Sequence, residues 1–460
     1  MSITRRTLLA GSAVAASAAL ARHGLAQGAA ERLPVVFWHA MSGANGDEIE
    51  RIARDFNASQ TAVALQPVFK GSYPDTLNAA IAAWRAGQAP HIVQVFEVGT
   101  GTMLAAGPAV KQVWQLIAET GAPIKPEEYL PAVRGYYSLA DGRMASMPFN
   151  SSTAVMWYNK DAFEAAGLDP EKPPATWPEL VTVARALRDK WAKPAMAKAA
   201  GGAPLSAVTT SWLTWIQFEE FSAIHNLPYA SKQDGFGGLD AVLELNGPGQ
   251  VRQLQRLLEM AKEGTFKYAG RDTTPDPLFY SGQAAIGFGS SSGRADIVRN
   301  AKFRWAPALL PYDPEITAAP NNTIIGGASL WTMTSPKRTP DEYKAVAQFL
   351  TFIGKPEQDA LYHEHTGYVP VTLAGYEVAK KQGYYDKNPG ADVAIQSLTR
   401  GTVTDNSKGL RLGRLPEIRN IMYEEVERAL QGQQGAKQAL DNTVARGNKV
   451  LREFERSARS

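Results

Sequence analysis

The 460 residues carry 48 Lys plus Arg against 45 Asp plus Glu, are 44% hydrophobic and contain no cysteine. That length exceeds one core of ordinary size and predicts two lobes. The missing cysteine excludes a disulfide framework, a thiol nucleophile, a cysteine-ligated metal and a lipidated N-terminal cysteine.

The chain opens on Thr4-Arg5-Arg6-Thr7-Leu8-Leu9, an apolar run from Leu8 to Leu20, and the small-residue segment Gly24-Leu25-Ala26. This is the pattern of an export signal over residues 1–26, and the paired arginines favour the twin-arginine type. The segment holds Arg5, Arg6 and Arg22 and no acid, so without it 45 basic residues face 45 acidic ones. The basic pI therefore belongs to the leader, and nothing marks a nucleic-acid or membrane-surface footprint. No apolar run of about 18 residues lies further on, so no internal membrane span is expected. A freely soluble protein of the periplasm fits these observations.

Leu33 to Trp38 reads as a buried strand, followed by a loop over Met41–Gly46 and a helix carrying Ile49, Ile52, Ala53 and Phe56. Val63 to Phe69 is a second strand. Tyr73-Pro74 starts a helix with Tyr at the N-cap and Pro at the first helical position, and Leu77, Ala80, Ile81 and Trp84 form its apolar face. Pro90 to Glu97 is another buried strand. This alternation predicts an α/β layout with a largely parallel sheet. Val155 to Tyr158 resumes it, and Thr176-Trp177-Pro178-Glu179 has capping-box spacing. Ala197 to Pro204 reads as a surface loop. Gln283–Phe288, Trp305–Leu310 and Ile324–Thr334 are further strands, with a helix over Arg294–Asn300. From Asp341 on the chain is mostly helical, and Leu415-Pro416 starts one of those helices.

Gly289-Ser290-Ser291-Ser292-Gly293 matches G-x-S-x-G between a strand and a helix, with Asp313 and His363 following in hydrolase order. Three readings stand: a nucleophile at Ser291, a plain helix cap, or an anion contact made by free N–H groups and hydroxyls. Glu97 closes an apolar strand, where ligands of open α/β sheets bind, and its carboxylate suits the hydroxyls of a polyol. Trp212 and Trp215, three apart on a helix face, are either core or a platform for a polyol or a quaternary ammonium. Arg419 follows Pro416 within the first helical turn, where a cation opposes the dipole and calls for an anion. Arg suits bidentate phosphate binding, and Arg411 competes for that role. His363 and His365 lie two apart, which does not place them on one helix face. No metal, cofactor or nucleotide motif occurs.

At these residues the chain resembles a known family, the periplasmic sn-glycerol-3-phosphate-binding proteins of Ugp ABC transporters. The resemblance runs from Pro34 to the C-terminus. It rests on Phe37-Trp38-His39, Lys70-Gly71-Ser72-Tyr73, Glu97-Val98-Gly99-Thr100, Pro148-Phe149-Asn150-Ser151-Ser152-Thr153, Ile324-Ile325-Gly326-Gly327, Thr366-Gly367-Tyr368-Val369-Pro370 and Lys408 to Gly413. The segment Lys190 to Thr210 and the arginine-pair leader depart from the pattern.

The resemblance implies a periplasmic binding protein fold, two α/β lobes joined by a hinge with several chain crossings. The lobes are expected over 34–148 plus 303–365 and over 149–302 plus 366–456. It implies a monomer that binds sn-glycerol 3-phosphate and glycerophosphodiesters for an ABC permease driven by a cytoplasmic ATPase, with no cofactor and no catalysis. The site it implies is Tyr73, Glu97, Ser152, Trp212, Ser290, Gly327, Tyr368 and Arg419. In it, ligand hydroxyls face Glu97 and phosphate faces Arg419, an orientation enforced by repulsion between carboxylate and phosphate. The alternatives are a sugar or oligosaccharide binder of the same fold and an exported serine hydrolase.

Overall fold

The computed structural model describes residues 32–191 and 206–459. The expected leader and the loop at 197–204 lie outside them.

Two sheets organise the chain. In the first the order is β2-β1-β3-β11-β4, with β5 also paired to β11. Its strands are β1 (Leu33–His39), β2 (Val63–Phe69), β3 (Ile92–Phe96), β4 (Val110–Lys111), β5 (Met147–Ser152) and β11 (Gly326–Met333). The second has the order β10-β6-β9-β7-β8. It is built from β6 (Ala154–Asn159), β7 (Ser206–Thr210), β8 (Phe266–Lys267), β9 (Ala284–Ser290) and β10 (Trp305–Ala308).

Strands β1, β2 and β3 pair in parallel, as alternation with helices requires, and β11 enters antiparallel to β3, β4 and β5. The reversed strand follows from the chain path, since β11 arrives from the second sheet and not through a βαβ crossover. All five residues of β3 are buried, the mark of a central strand. Its one polar member, Gln94, accepts a hydrogen bond from the Ala40 N–H and donates to Asn150 Oδ1, both at 2.9 Å.

Strands β5 and β6 are separated only by Thr153, so one residue carries the chain between sheets. The Glu220 carboxylate accepts from the N–H groups of Ala154 at 3.3 Å and Ile324 at 2.9 Å, where two crossing strands run side by side. The boundary expected at Phe303 is displaced. Strand β10 pairs with β6 in the second sheet, so the return to the first sheet falls between Ala308 and Gly326. The apolar run Trp305–Leu310 carries no signal for which sheet it joins, because either buries it. The later boundary shifts as well. The Val369 N–H donates to the Ser151 carbonyl of β5 at 2.8 Å and the Val371 carbonyl accepts from the Leu130 N–H at 2.9 Å, so the first lobe extends past residue 365.

The helix Tyr73–Arg85 is capped by Ser72, whose hydroxyl accepts from the Asp75 N–H while the Asp75 carboxylate accepts from the Ser72 backbone. The expected Tyr73 cap fails because a phenol cannot turn back onto its own first turn. That moves Tyr73 to the first helical position and frees its ring for the cavity. The capping box at Thr176 and Glu179 forms as expected.

Candidate functional site

Between the sheets lies a cavity of about 560 Å³ whose lining includes all eight residues named from the sequence. Each arrives on a different element. Tyr73 stacks on Phe96, rings 5.3 Å apart and 5° from parallel, and its hydroxyl accepts from Asn150 Nδ2 at 2.9 Å. The Gln94–Asn150 bond continues this polar chain back into the first sheet. Ser152 closes β5 opposite Gly326 of β11, and Gly327 pairs with Ser151. At Gly327 φ is +88°, and an added Cβ would lie 1.8 Å from the Asn150 carbonyl oxygen, so glycine is obligatory there. Tyr368 stacks on Tyr362 at 5.6 Å and is buried.

Ser290 ends β9 and caps the turn that follows, accepting from the Ser292 N–H at 3.2 Å. Ser290 and Ser292 line the cavity, their hydroxyl oxygens 2.8 Å apart. Ser291 is not among the lining residues, and its buried hydroxyl has no partner among the described residues. The nucleophile reading therefore fails. His363 donates from Nδ1 to the Tyr368 carbonyl and accepts at Nε2 from the Tyr385 hydroxyl, while Asp313 is clasped by Arg252 and Arg256. Neither group is free to serve a serine.

Trp212 and Trp215 both line the cavity, but they do not share a helix face. Trp212 precedes the helix with φ +45°, a left-handed backbone that bulky residues rarely adopt. Trp215 opens a π-helical turn, Trp215–Glu220. Such turns shift the register of a helix face and recur at functional sites.

Arg419 is the fifth residue of the helix Leu415–Leu430, just past its first turn, and is almost fully buried. Its Nε and Nη2 donate to the two carboxylate oxygens of Glu219 at 2.7 Å each, and Nη2 also donates to Glu97 Oε1 at 3.0 Å. The expected separation of poles is thus absent: Glu97 and Arg419 touch, and Glu219 shares the same guanidinium nitrogen with Glu97. Two carboxylates on one guanidinium leave the trio short of positive charge. Burial lifts the Glu97 pKa from 4.5 to about 7, against the pull of Arg419 and with a push from Glu219. Burial disfavours the Arg419 charge, yet Glu219 and Glu97 outweigh it and hold the guanidinium protonated. Arg411, the competing candidate, does not line the cavity. It donates to the carbonyls of Gly135 and Tyr136, with its guanidinium 4.2 Å from the Phe236 ring.

Sequence reasoning missed Glu219. The available signal was the pair Glu219-Glu220 inside an apolar stretch from Trp215 to Phe221, since paired charges survive there only with partners. It also missed Asp272 and Asp276 on the cavity wall, where burial raises both carboxyls, Asp276 to about 7. No group of three or more acidic, His or Cys side chains fit to hold a metal occurs among the described residues.

The model of the bacterial extracellular solute-binding proteins matches residues 51–390. The sn-glycerol-3-phosphate-binding periplasmic protein UgpB of Salmonella typhimurium is 45% identical over 427 residues, 93% of this chain and 94% of that one. The protein of the same name from Escherichia coli K12 is 44% identical over the same spans. Among solved structures, UgpB from Mycobacterium tuberculosis in complex with glycerophosphocholine superimposes with a TM-score of 0.74 at 21% identity, covering 92% of this chain and all of that one. Maltose-bound MalE3 of T. maritima gives a TM-score of 0.71 at 15% identity, with the same coverage of both chains. These two superpositions establish the two-lobed binding-protein architecture, and with the sequence matches they show that the chain belongs to the bacterial extracellular solute-binding proteins.

Proposed function

We propose that this protein is the periplasmic solute-binding component of an ABC importer, that it captures sn-glycerol 3-phosphate and glycerophosphodiesters, and that it delivers them to a membrane permease. It acts by binding and carries out no chemistry on its ligand. The observation that carries this reading is the cavity between the sheets. It joins a carboxylate-clasped arginine, a set of hydroxyl and backbone donors, and aromatic walls. The relatives bearing the sn-glycerol-3-phosphate name, at 44–45% identity over nearly the whole chain, support the ligand class.

Glycerol hydroxyls both donate and accept, so they suit the mixed trio of Glu97, Arg419 and Glu219. Nη1 of Arg419 carries no protein hydrogen bond among the described residues and faces the ligand as a donor. The phosphate then falls to the neutral donors: the hydroxyls of Ser152, Ser290, Ser292, Tyr73 and Tyr368, and nearby backbone N–H groups. Such bonds to a charged oxygen contribute about 1.5–3 kcal/mol each. Micromolar binding needs about 8 kcal/mol, which a few of them supply. The cavity exceeds what a three-carbon phosphate fills, which leaves room for a diester head group beside Trp212 and Asp276.

Calorimetry with sn-glycerol 3-phosphate, glycerophosphocholine and maltose tests the reading. Binding of one or both phosphates and no heat from maltose is the expected result. Binding of maltose alone overturns it and assigns the chain to the sugar binders.

A further inference from the structure

We propose that Glu219 is the positioning residue of this site: it locks the Arg419 side chain in place and cancels its charge, which turns an arginine that would draw phosphate into one that reads hydroxyls. The inference deepens the functional reading above and rests on it.

Three observations carry it. The clasp is bidentate, Nε and Nη2 each 2.7 Å from a Glu219 oxygen, with Glu219 and Arg419 both nearly free of solvent contact. A guanidinium held through two parallel bonds cannot swing toward a ligand, and with both Nη2 hydrogens taken by Glu219 and Glu97 only Nη1 presents donors. The charge inventory is the second. Glu97 lies at 3.0 Å on the same guanidinium, and Asp272 and Asp276 stand on the cavity wall. With Glu219 in place the pole has no surplus positive charge, and a phosphate dianion gains little there.

The third observation is local backbone. Glu219 and Glu220 are neighbours on the π-helical turn, yet they hold different partners. Glu219 turns to the ligand arginine and Glu220 to the N–H groups of Ala154 and Ile324 at the strand crossings. The turn that places Trp215 in the cavity wall thereby places the clasping carboxylate behind Arg419.

Two variants decide the matter, each measured by calorimetry against sn-glycerol 3-phosphate, a dianion, and glycerophosphocholine, a monoanionic diester. Glu219→Gln keeps the shape and removes one negative charge. It is expected to weaken glycerophosphocholine about tenfold while sn-glycerol 3-phosphate loses less, so the affinity ratio moves several-fold toward the monoester. A merely structural glutamate would weaken both equally. Glu219→Asp keeps the charge but is too short to reach both nitrogens. It is expected to weaken both ligands about tenfold with their ratio unchanged. Should Glu219→Gln fail to fold, Glu219→Ala, which removes the same charge, is read by the same affinity ratio, with the same shift toward the monoester expected. Wild-type affinity in the aspartate variant, or an unchanged ratio in the glutamine variant, overturns the proposal. Wild-type protein that binds neither phosphate sinks the functional reading instead, so the two failures are distinct.

Discussion

The two ends of the cavity present polar atoms in different ways. One end is ionic: Arg419, Glu97 and Glu219 are buried together, and each depends on the others for its charge. The other end is neutral: Ser152, Ser290, Ser292 and Gly327 come from strand ends and turns, and each has its own backbone support. A buried ionic cluster is cooperative, because deleting one member strands the rest. A set of neutral donors degrades in small steps, because each bond contributes only about 1 kcal/mol net. The lesson is that the ionic end fixes the site and the neutral end grades the affinity.

The largest break in that contrast is Arg419→Ala. It leaves Glu97 and Glu219 facing each other without a cation, and is expected to cost about 3–5 kcal/mol of stability as well as binding. Urea unfolding and calorimetry read both. The loss should shrink below pH 6, where Glu97, with its midpoint at about 7, takes up a proton. A cost below 1 kcal/mol at pH 8 would mean that the cluster is not cooperative.

Next is Gly327→Ala, at the neutral end but in the backbone. The +88° φ and the close Asn150 carbonyl leave no place for a methyl group. A loss of about 3–4 kcal/mol in unfolding free energy is expected, because β5 and β11 must separate to admit it. The neutral end thus tolerates loss of a hydroxyl but not intrusion of a carbon.

Stability should also vary with pH through Glu97. The Glu97 carboxyl moves from 4.5 to about 7 on folding, so the folded protein holds the proton more tightly than the unfolded chain. Its contribution is fully present below about pH 4.5, declines as pH rises toward 7, and is gone above that. The span corresponds to about 3 kcal/mol. His39, His225 and His363, each lowered to about 4 by burial, act in the opposite sense at mildly acid pH. The clean measurement is therefore the stability difference between wild type and Glu97→Gln across pH 4 to 8. A flat difference would show that the trio does not shift the Glu97 proton.

Much of the neutral end was legible in the sequence. Strands β1, β3, β6, β9 and β11 are apolar runs bounded by turn residues, and glycines and serines at their ends mark where backbone donors gather. The ionic end was legible only in part. Glu97 and Arg419 stood out as charges at a strand end and a helix start, but their contact did not, because it joins residues 322 positions apart. Glu219 was hidden by its turn: a π-helical register departs from the 3.6-residue period by which faces are read. The same limit applied to Trp212. Its left-handed backbone is a tertiary outcome, and no local propensity favours a tryptophan there. The displaced boundary at β10 has another cause, since an apolar strand fits either sheet and pairing is settled by long-range geometry.

The smallest effects belong to the serine loop, where three adjacent hydroxyls allow an internal comparison. Ser290→Ala removes the cap on the Ser292 N–H, at about 1 kcal/mol of stability. It also removes one donor to the ligand, worth about five- to tenfold in affinity. Ser292→Ala leaves the cap intact and should weaken the ligand alone. Ser291→Ala deletes a buried hydroxyl that has no partner and does not line the cavity, so affinity should hold and stability should stay level or rise slightly. Measured side by side, the three variants separate capping, contact and burial within one turn. Loss of binding in Ser291→Ala with Ser290→Ala and Ser292→Ala unaffected would mean that the loop presents a different hydroxyl to the ligand, and the neutral end would have to be redrawn around it.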